Sequence, residues 1–115
     1  VAIIGSRSIE YDKLQKRAYE LLCENIPANC TEIVSGGAMG VDRLAEIYAR
    51  HNNLPTKIFL PEYDKYGKRA PIVRNDKIVE YSQYVLAFWD GSSHGTAYTV
   101  ATCLKEGVPV KIISL

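Results

Sequence analysis

Apolar and polar positions along this chain alternate between two rhythms. Residues 1–4 (VAII) are an unbroken apolar run closed by Gly5, the mark of a strand covered on both faces. Leu14, Ala18, Leu21 and Leu22 then recur at helical spacing until Pro27 ends the pattern. Residues 32–35 (EIVS) predict a second strand, which runs into Gly36 and Gly37. A second helical stripe follows at Val41, Leu44, Ala45, Tyr48 and Ala49. Residues 56–61 predict a third strand, stopped by Pro61, which has no N–H to give to a ladder.

Beyond Pro61 the pattern is mixed. The first half of residues 62–82 reads as loop, and a helix is expected to start near Pro71, since proline suits a first helical position. Residues 84–90 (YVLAFWD) predict a fourth strand. A helix from about residue 96 to 106 carries apolar positions Ala97, Val100, Ala101 and Leu104, and Gly107 and Pro109 stop it. Residues 108–115 close the chain as a fifth strand. Strands alternating with helices through short connections predict an α/β fold. The expectation is a single Rossmann-like domain over residues 1–115, with an about five-stranded parallel sheet and helices on both faces.

Composition narrows the partners. Fourteen Lys and Arg stand against thirteen Asp and Glu, a formal charge of +1, so no overall field draws this chain to nucleic acid or membrane. Cys23, Cys30 and Cys103 are odd in number and contain no C-x-x-C pair, which reads as reduced thiols and not as a disulfide framework or zinc site. His51 and His94 cannot by themselves build a metal centre, and neither metal nor cofactor is expected. No apolar run approaches the roughly 20 residues of a membrane span. Cytoplasmic location is the expectation, with a homo-oligomer permitted by the eight tyrosines.

In open α/β sheets, ligands bind beyond the carboxyl ends of the strands. Three loops expected there are unusually small and polar: GSR after the first strand, SGGAMGVD after the second and DGSSHGT after the fourth. Glycine allows close backbone approach, and the unpaired amides of a helix start favour an anion. Arg7 and Arg74 offer guanidinium forks for a phosphate or carboxylate, or surface ion pairs. Asp42 either caps its helix or joins the site. Asp90 ends an apolar strand, where it could bind ribose hydroxyls, act as a base, or form an Asx turn before Gly91. SGGAMG lacks the first glycine of a dinucleotide fingerprint, and GSSHGT lacks the P-loop lysine. Phe88 and Trp89 alternate across the strand and read as packing residues, or as one packing and one stacking on a base; Cys103 reads as core and His94 as a loop residue. Lys65, Lys68 and Arg69, interleaved with Tyr63 and Tyr66, read as a solvated charged loop or as a contact for single-stranded nucleic acid.

VAIIGSR, IVSGGAMGVDRLAE, PIVRND and LAFWDGSSHGTAYT together resemble the SLOG superfamily, and within it the small YspA-like (YAcAr) domains of bacteria and phage. The resemblance spans nearly the whole chain. It implies a Rossmann-like fold that binds or senses a nucleotide or a nucleotide-derived phosphorylated ligand. By motif match the pocket involves Gly5, Ser6, Arg7, Ser35, Gly36, Gly37, Gly40, Asp42, Arg74, Asn75, Asp90, Gly91, Ser93, Gly95 and Thr96. Two related branches imply alternatives. The Lonely guy phosphoribohydrolases cleave nucleoside monophosphates and carry P-G-G-x-G-T-x-x-E in the last loop. Gly95 and Thr96 match that motif, but Thr99 stands where the glutamate belongs, so the activity would need Asp90, the candidate catalytic carboxylate, or Asp42 to take over. DNA-processing protein A binds single-stranded DNA; the balanced charge of this chain does not favour that partner.

Overall fold

The computed structural model describes residues 1–5, 12–37 and 40–114, with only the helical backbone for residues 12–15. Five strands, β1 (Ala2–Gly5), β2 (Ile33–Ser35), β3 (Thr56–Ile58), β4 (Val85–Trp89) and β5 (Val110–Ser114), form one sheet in the order β3-β2-β1-β4-β5. Every pairing is parallel. The helices are α1 (Asp12–Asn25), α2 (Val41–His51), the single turn α3 (Tyr63–Tyr66), α4 (Ala70–Tyr81) and α5 (His94–Glu106). A 3₁₀ turn over Gly67–Arg69 joins α3 to α4.

The apolar runs occupy the centre of the sheet because side chains alternate across it and both faces are covered. Ile3, Leu86 and Phe88 pack with Ala18 and Leu22 of α1 and Leu44, Ala45 and Ala49 of α2. From the opposite face Ala2, Ile4, Val85 and Ala87 meet Ile78 and Val79 of α4 and Val100 and Cys103 of α5. Burial pushes the Cys103 thiol up from its ordinary range. The fold is thus the expected doubly wound α/β sheet, with its switch of direction between β1 and β4.

Three expectations are corrected. Residues 62–69 are helical in part, where plain loop is expected, while α4 begins at Ala70, beside Pro71 as expected. Ladder geometry in β3 ends at Ile58, short of the expected residue 61, although the Phe59 amide still donates to the Ser35 carbonyl at 2.9 Å. Helix α5 begins at His94, and its inward stripe is Thr96, Thr99, Val100 and Cys103. Leu104, expected on the apolar face, is 72% exposed. The two threonines read as polar in sequence, yet both are buried, and Thr99 donates its hydroxyl to the Gly95 carbonyl one turn back at 3.0 Å.

Leu104→Lys is therefore expected to change stability by less than about 0.5 kcal/mol, as for an ordinary surface site. Phe88→Ala removes a ring with no solvent exposure and is expected to cost roughly 3–5 kcal/mol. Urea titrations of both variants check the assignment of faces; a larger loss from the leucine change would contradict it.

Candidate functional site

Strands β1, β2 and β4 end on the same side of the sheet, and their C-terminal loops meet α4 and α5 around a cavity of about 370 Å³. That volume lies within the ordinary range for small-molecule sites, about 300–1,000 Å³. Its floor is apolar, from Ile4 at the end of β1 and Ile78 and Pro71 of α4. Its polar wall has two halves. Gly36, Asp42, Arg74 and Asn75 form one, and Ser93, Gly95, Thr96 and Thr99 the other.

The first half is organised around Gly36. The Arg74 Nη1 donates to the Gly36 carbonyl at 2.7 Å, and the Arg74 Nε donates to Asn75 Oδ1 at 2.8 Å. A β-carbon at Gly36 would lie 2.5 Å from Arg74 Nη1 and 3.2 Å from Asp42 Oδ2. A missing side chain therefore lets a guanidinium and a carboxylate approach the same backbone unit. Asp42 lies in the first turn of α2, where helix polarity favours a carboxylate, and it is buried. The helix N-cap is Gly40, at φ 78°, and it makes no side-chain cap.

The second half is the start of α5. Ser93 is its N-cap, and the Ser93 hydroxyl lies 3.4 Å from Thr96 Oγ1. The Trp89 indole N–H donates to the Ser93 carbonyl at 3.0 Å, which ties the helix start to the end of β4. The first-turn amides of such a helix lack helical acceptors and point toward the sheet edge.

Of the residues expected at the site, Gly5, Gly36, Asp42, Arg74, Asn75, Ser93, Gly95 and Thr96 line the cavity. Gly5 has a packing reason as well, since a β-carbon there would meet Val41 side-chain atoms at 2.8 Å. Ser35 is buried, and its hydroxyl accepts the Gly37 amide at 3.0 Å, so it shapes the loop from beneath. Gly37 has a φ of 71°, and a β-carbon there would press on Leu60 at 2.6 Å, away from the cavity wall. Gly40, Asp90 and Gly91 are not among the lining residues. Ser6 and Arg7 lie outside the described residues. Asp90, the candidate carboxylate of the hydrolase alternative, is exposed, and its Oδ1 accepts the amides of Ser92 and Ser93 at 2.9 and 2.8 Å; of the roles the sequence leaves open for it, the Asx turn is what forms.

Ile4, Pro71, Ile78 and Thr99 are lining residues that motif reading does not supply. Helical spacing supplies three of them: Pro71 and Ile78 flank Arg74 at one turn either side, and Thr99 follows Thr96 by three, while Ile4 comes from β1. Among the described residues, no cluster of three or more His, Cys, Asp or Glu side chains could hold a metal ion. No helix of the described residues is long and apolar enough to cross a membrane.

A parallel 3-2-1-4-5 sheet with a polar cavity at its carboxyl edge defines a Rossmann-like α/β domain. A family model described as DNA recombination-mediator protein A matches residues 1–63, and the chain belongs to that family, in keeping with the SLOG resemblance. The match takes in β1, β2 and Gly36 but stops short of Arg74 and of α5. No curated protein and no solved structure matches.

Gly36→Ala is expected to push the Arg74 guanidinium off its carbonyl and to cost about 1.5–3 kcal/mol, the range for a hydrogen bond to a charged group. In an Arg74→Ala background the same change should cost far less. A double-mutant cycle by urea unfolding checks this, with an expected coupling of roughly 0.5–3 kcal/mol. Additive losses would separate the glycine from the arginine.

Proposed function

We propose that the cavity binds a nucleotide or a nucleotide-derived phosphorylated ligand, in a single small ligand-binding or sensing domain of the YspA-like kind. The observation that carries this reading is the approach of both Arg74 and Asp42 to Gly36, in a cavity also lined by Ile4 and Ile78. A guanidinium suits a phosphate, a carboxylate accepts from ribose hydroxyls or an exocyclic amine, and Ile4 and Ile78 offer surface for a base. Asp42 takes the sugar-binding role that the sequence suggests for Asp90. A nucleoside phosphate offers all three complements within one small molecule.

Binding is favoured over turnover. Thr99 lines the cavity at the position where the Lonely guy pattern places glutamate, and its hydroxyl is committed to the Gly95 carbonyl. A threonine there supplies neither the charge for an oxocarbenium-like centre nor a base for water.

A thermal-shift panel of nucleoside mono-, di- and triphosphates tests the proposal. A ligand at one hundred times its Kd adds about 2.7 kcal/mol, which for a domain of this size raises Tm on the order of 10 °C. Arg74→Ala and Asp42→Ala, each compared with its own unliganded Tm, should lose most of that rise. A panel that leaves the wild-type Tm unmoved sinks the reading.

Membership of the recombination-mediator family supports a second reading, association with single-stranded nucleic acid. Lys65 and Lys77 lie 5.2 and 5.5 Å from the Tyr66 ring centre, beside exposed Tyr63, Lys68 and Arg69. Glu62 accepts from Lys77 at 2.9 Å and raises the pKa of that ammonium, while Lys77 lowers that of Glu62. Fluorescence anisotropy with a labelled oligothymidine decides the case. Three phosphate contacts predict a log–log salt slope near about −2 for a single strand; no binding at low salt removes this partner.

A further inference from the structure

We propose that Asp90 is a positioning residue for the cavity, acting through the loop that starts α5, and that it takes no part in chemistry. This rests on the cavity being the ligand site. One carboxylate oxygen, Asp90 Oδ1, accepts the Ser92 amide at 2.9 Å, the Ser93 amide at 2.8 Å and the Ser92 hydroxyl at 3.3 Å. On the other side of the same turn, the Trp89 indole N–H holds the Ser93 carbonyl at 3.0 Å. Both main-chain polar groups of Ser93 are thus held by the two residues that end the β4 segment. The Ser93 carbonyl also receives the Ala97 amide at 3.2 Å, the first turn of α5.

Two consequences follow for recognition. The Ser92 and Ser93 amides already bind an internal anion, so a ligand phosphate has to use the next turn, beginning at His94 and Gly95. Ser93 meets a ligand through its hydroxyl, which the clamp aims at Thr96 Oγ1, 3.4 Å away. Gly91, at φ 87°, supplies the left-handed turn that brings the two serines back over the carboxylate. The part of Asp90 that does this work is one acceptor oxygen, and an asparagine can provide it. A base or nucleophile cannot be replaced that way.

The test uses the full chain with Asp90→Ala and Asp90→Asn, in two measurements. In two-dimensional amide spectra, the alanine variant should shift Ser92 and Ser93 and carry the change on to Gly95, Thr96 and Thr99, while the asparagine variant stays close to wild type. Changes confined to Ser92 and Ser93, or equal in both variants, overturn the proposal. In calorimetric titration with adenosine 5′-monophosphate as probe, the alanine variant should bind roughly five- to tenfold more weakly, about 1 kcal/mol or somewhat more. The asparagine variant should hold the wild-type affinity, and equal affinities in all three proteins also overturn it. If the wild type ignores the nucleotide, the nucleotide reading of the cavity fails, and the spectra still decide the role of Asp90.

Discussion

The parallel pairing of β1 with β4 is the constraint on which the rest of this molecule depends. It aligns Ala2 through Gly5 with Val85 through Phe88, residue for residue, at the centre of the sheet. The chain leaves β1 toward β2 on one side and β4 toward β5 on the other, so the loops that follow the two strands diverge. A gap at the carboxyl edge follows from that divergence, whatever residues fill it. Ile4 and Ile78, from the strand and the helix that border the gap, make its floor. Loss of this central register would remove the cavity before it altered any polar group in its wall.

The glycines around the gap serve separate purposes, which sequence alone merges into one signal. Gly5 makes room for Val41, so it is a packing residue that also borders the cavity. Gly36 makes room for a guanidinium and a carboxylate, and Arg74 crosses from α4 to reach its carbonyl, 38 residues away in sequence. Gly37 and Gly91 have left-handed backbones and turn the chain without touching the cavity. Of these four, Gly36 alone has the character a glycine-rich loop is usually assumed to have, close approach of backbone to a charged group, and the group is the protein's own.

Much of this was legible beforehand because buried parallel strands and their stop signals are strong patterns. VAII and VLAFW announce the two central strands, and the small polar loops after them announce the edge where the cavity forms. Arg74 could be named from its motif, but its partner could not, because nothing in PIVRND points to a carbonyl near residue 36. Periodicity points Leu104 inward on α5 because Thr96 and Thr99 count as polar in it, whereas a threonine whose hydroxyl bonds the preceding turn can be buried like a small apolar residue. Asp90, for which the sequence leaves site and turn roles open, is decided by local geometry. Ending a buried strand sets where a residue begins, and the turn it then makes, through the amides of Ser92 and Ser93, sets where its carboxylate goes.

The two carboxylates also limit what kind of anion this edge can accept. Asp42 is buried in the cavity wall beside the group that Arg74 holds, and Asp90 occupies the amides at the turn before α5. A surface built to hold a long polyanion gains from uninterrupted positive charge, because each neutralised phosphate releases counterions. A carboxylate in its path works against that. The same carboxylate is an asset for a small ligand that carries one anionic end and several hydroxyl or amino donors, since it fixes orientation through bonds that a bare phosphate cannot make. The lysines near Tyr66 lie on the α3–α4 segment, where Lys65, Tyr66 and Lys77 are absent from the cavity lining. The two proposed partners therefore call on different residues: a small ligand on those flanking Gly36, a strand on cations outside the cavity lining.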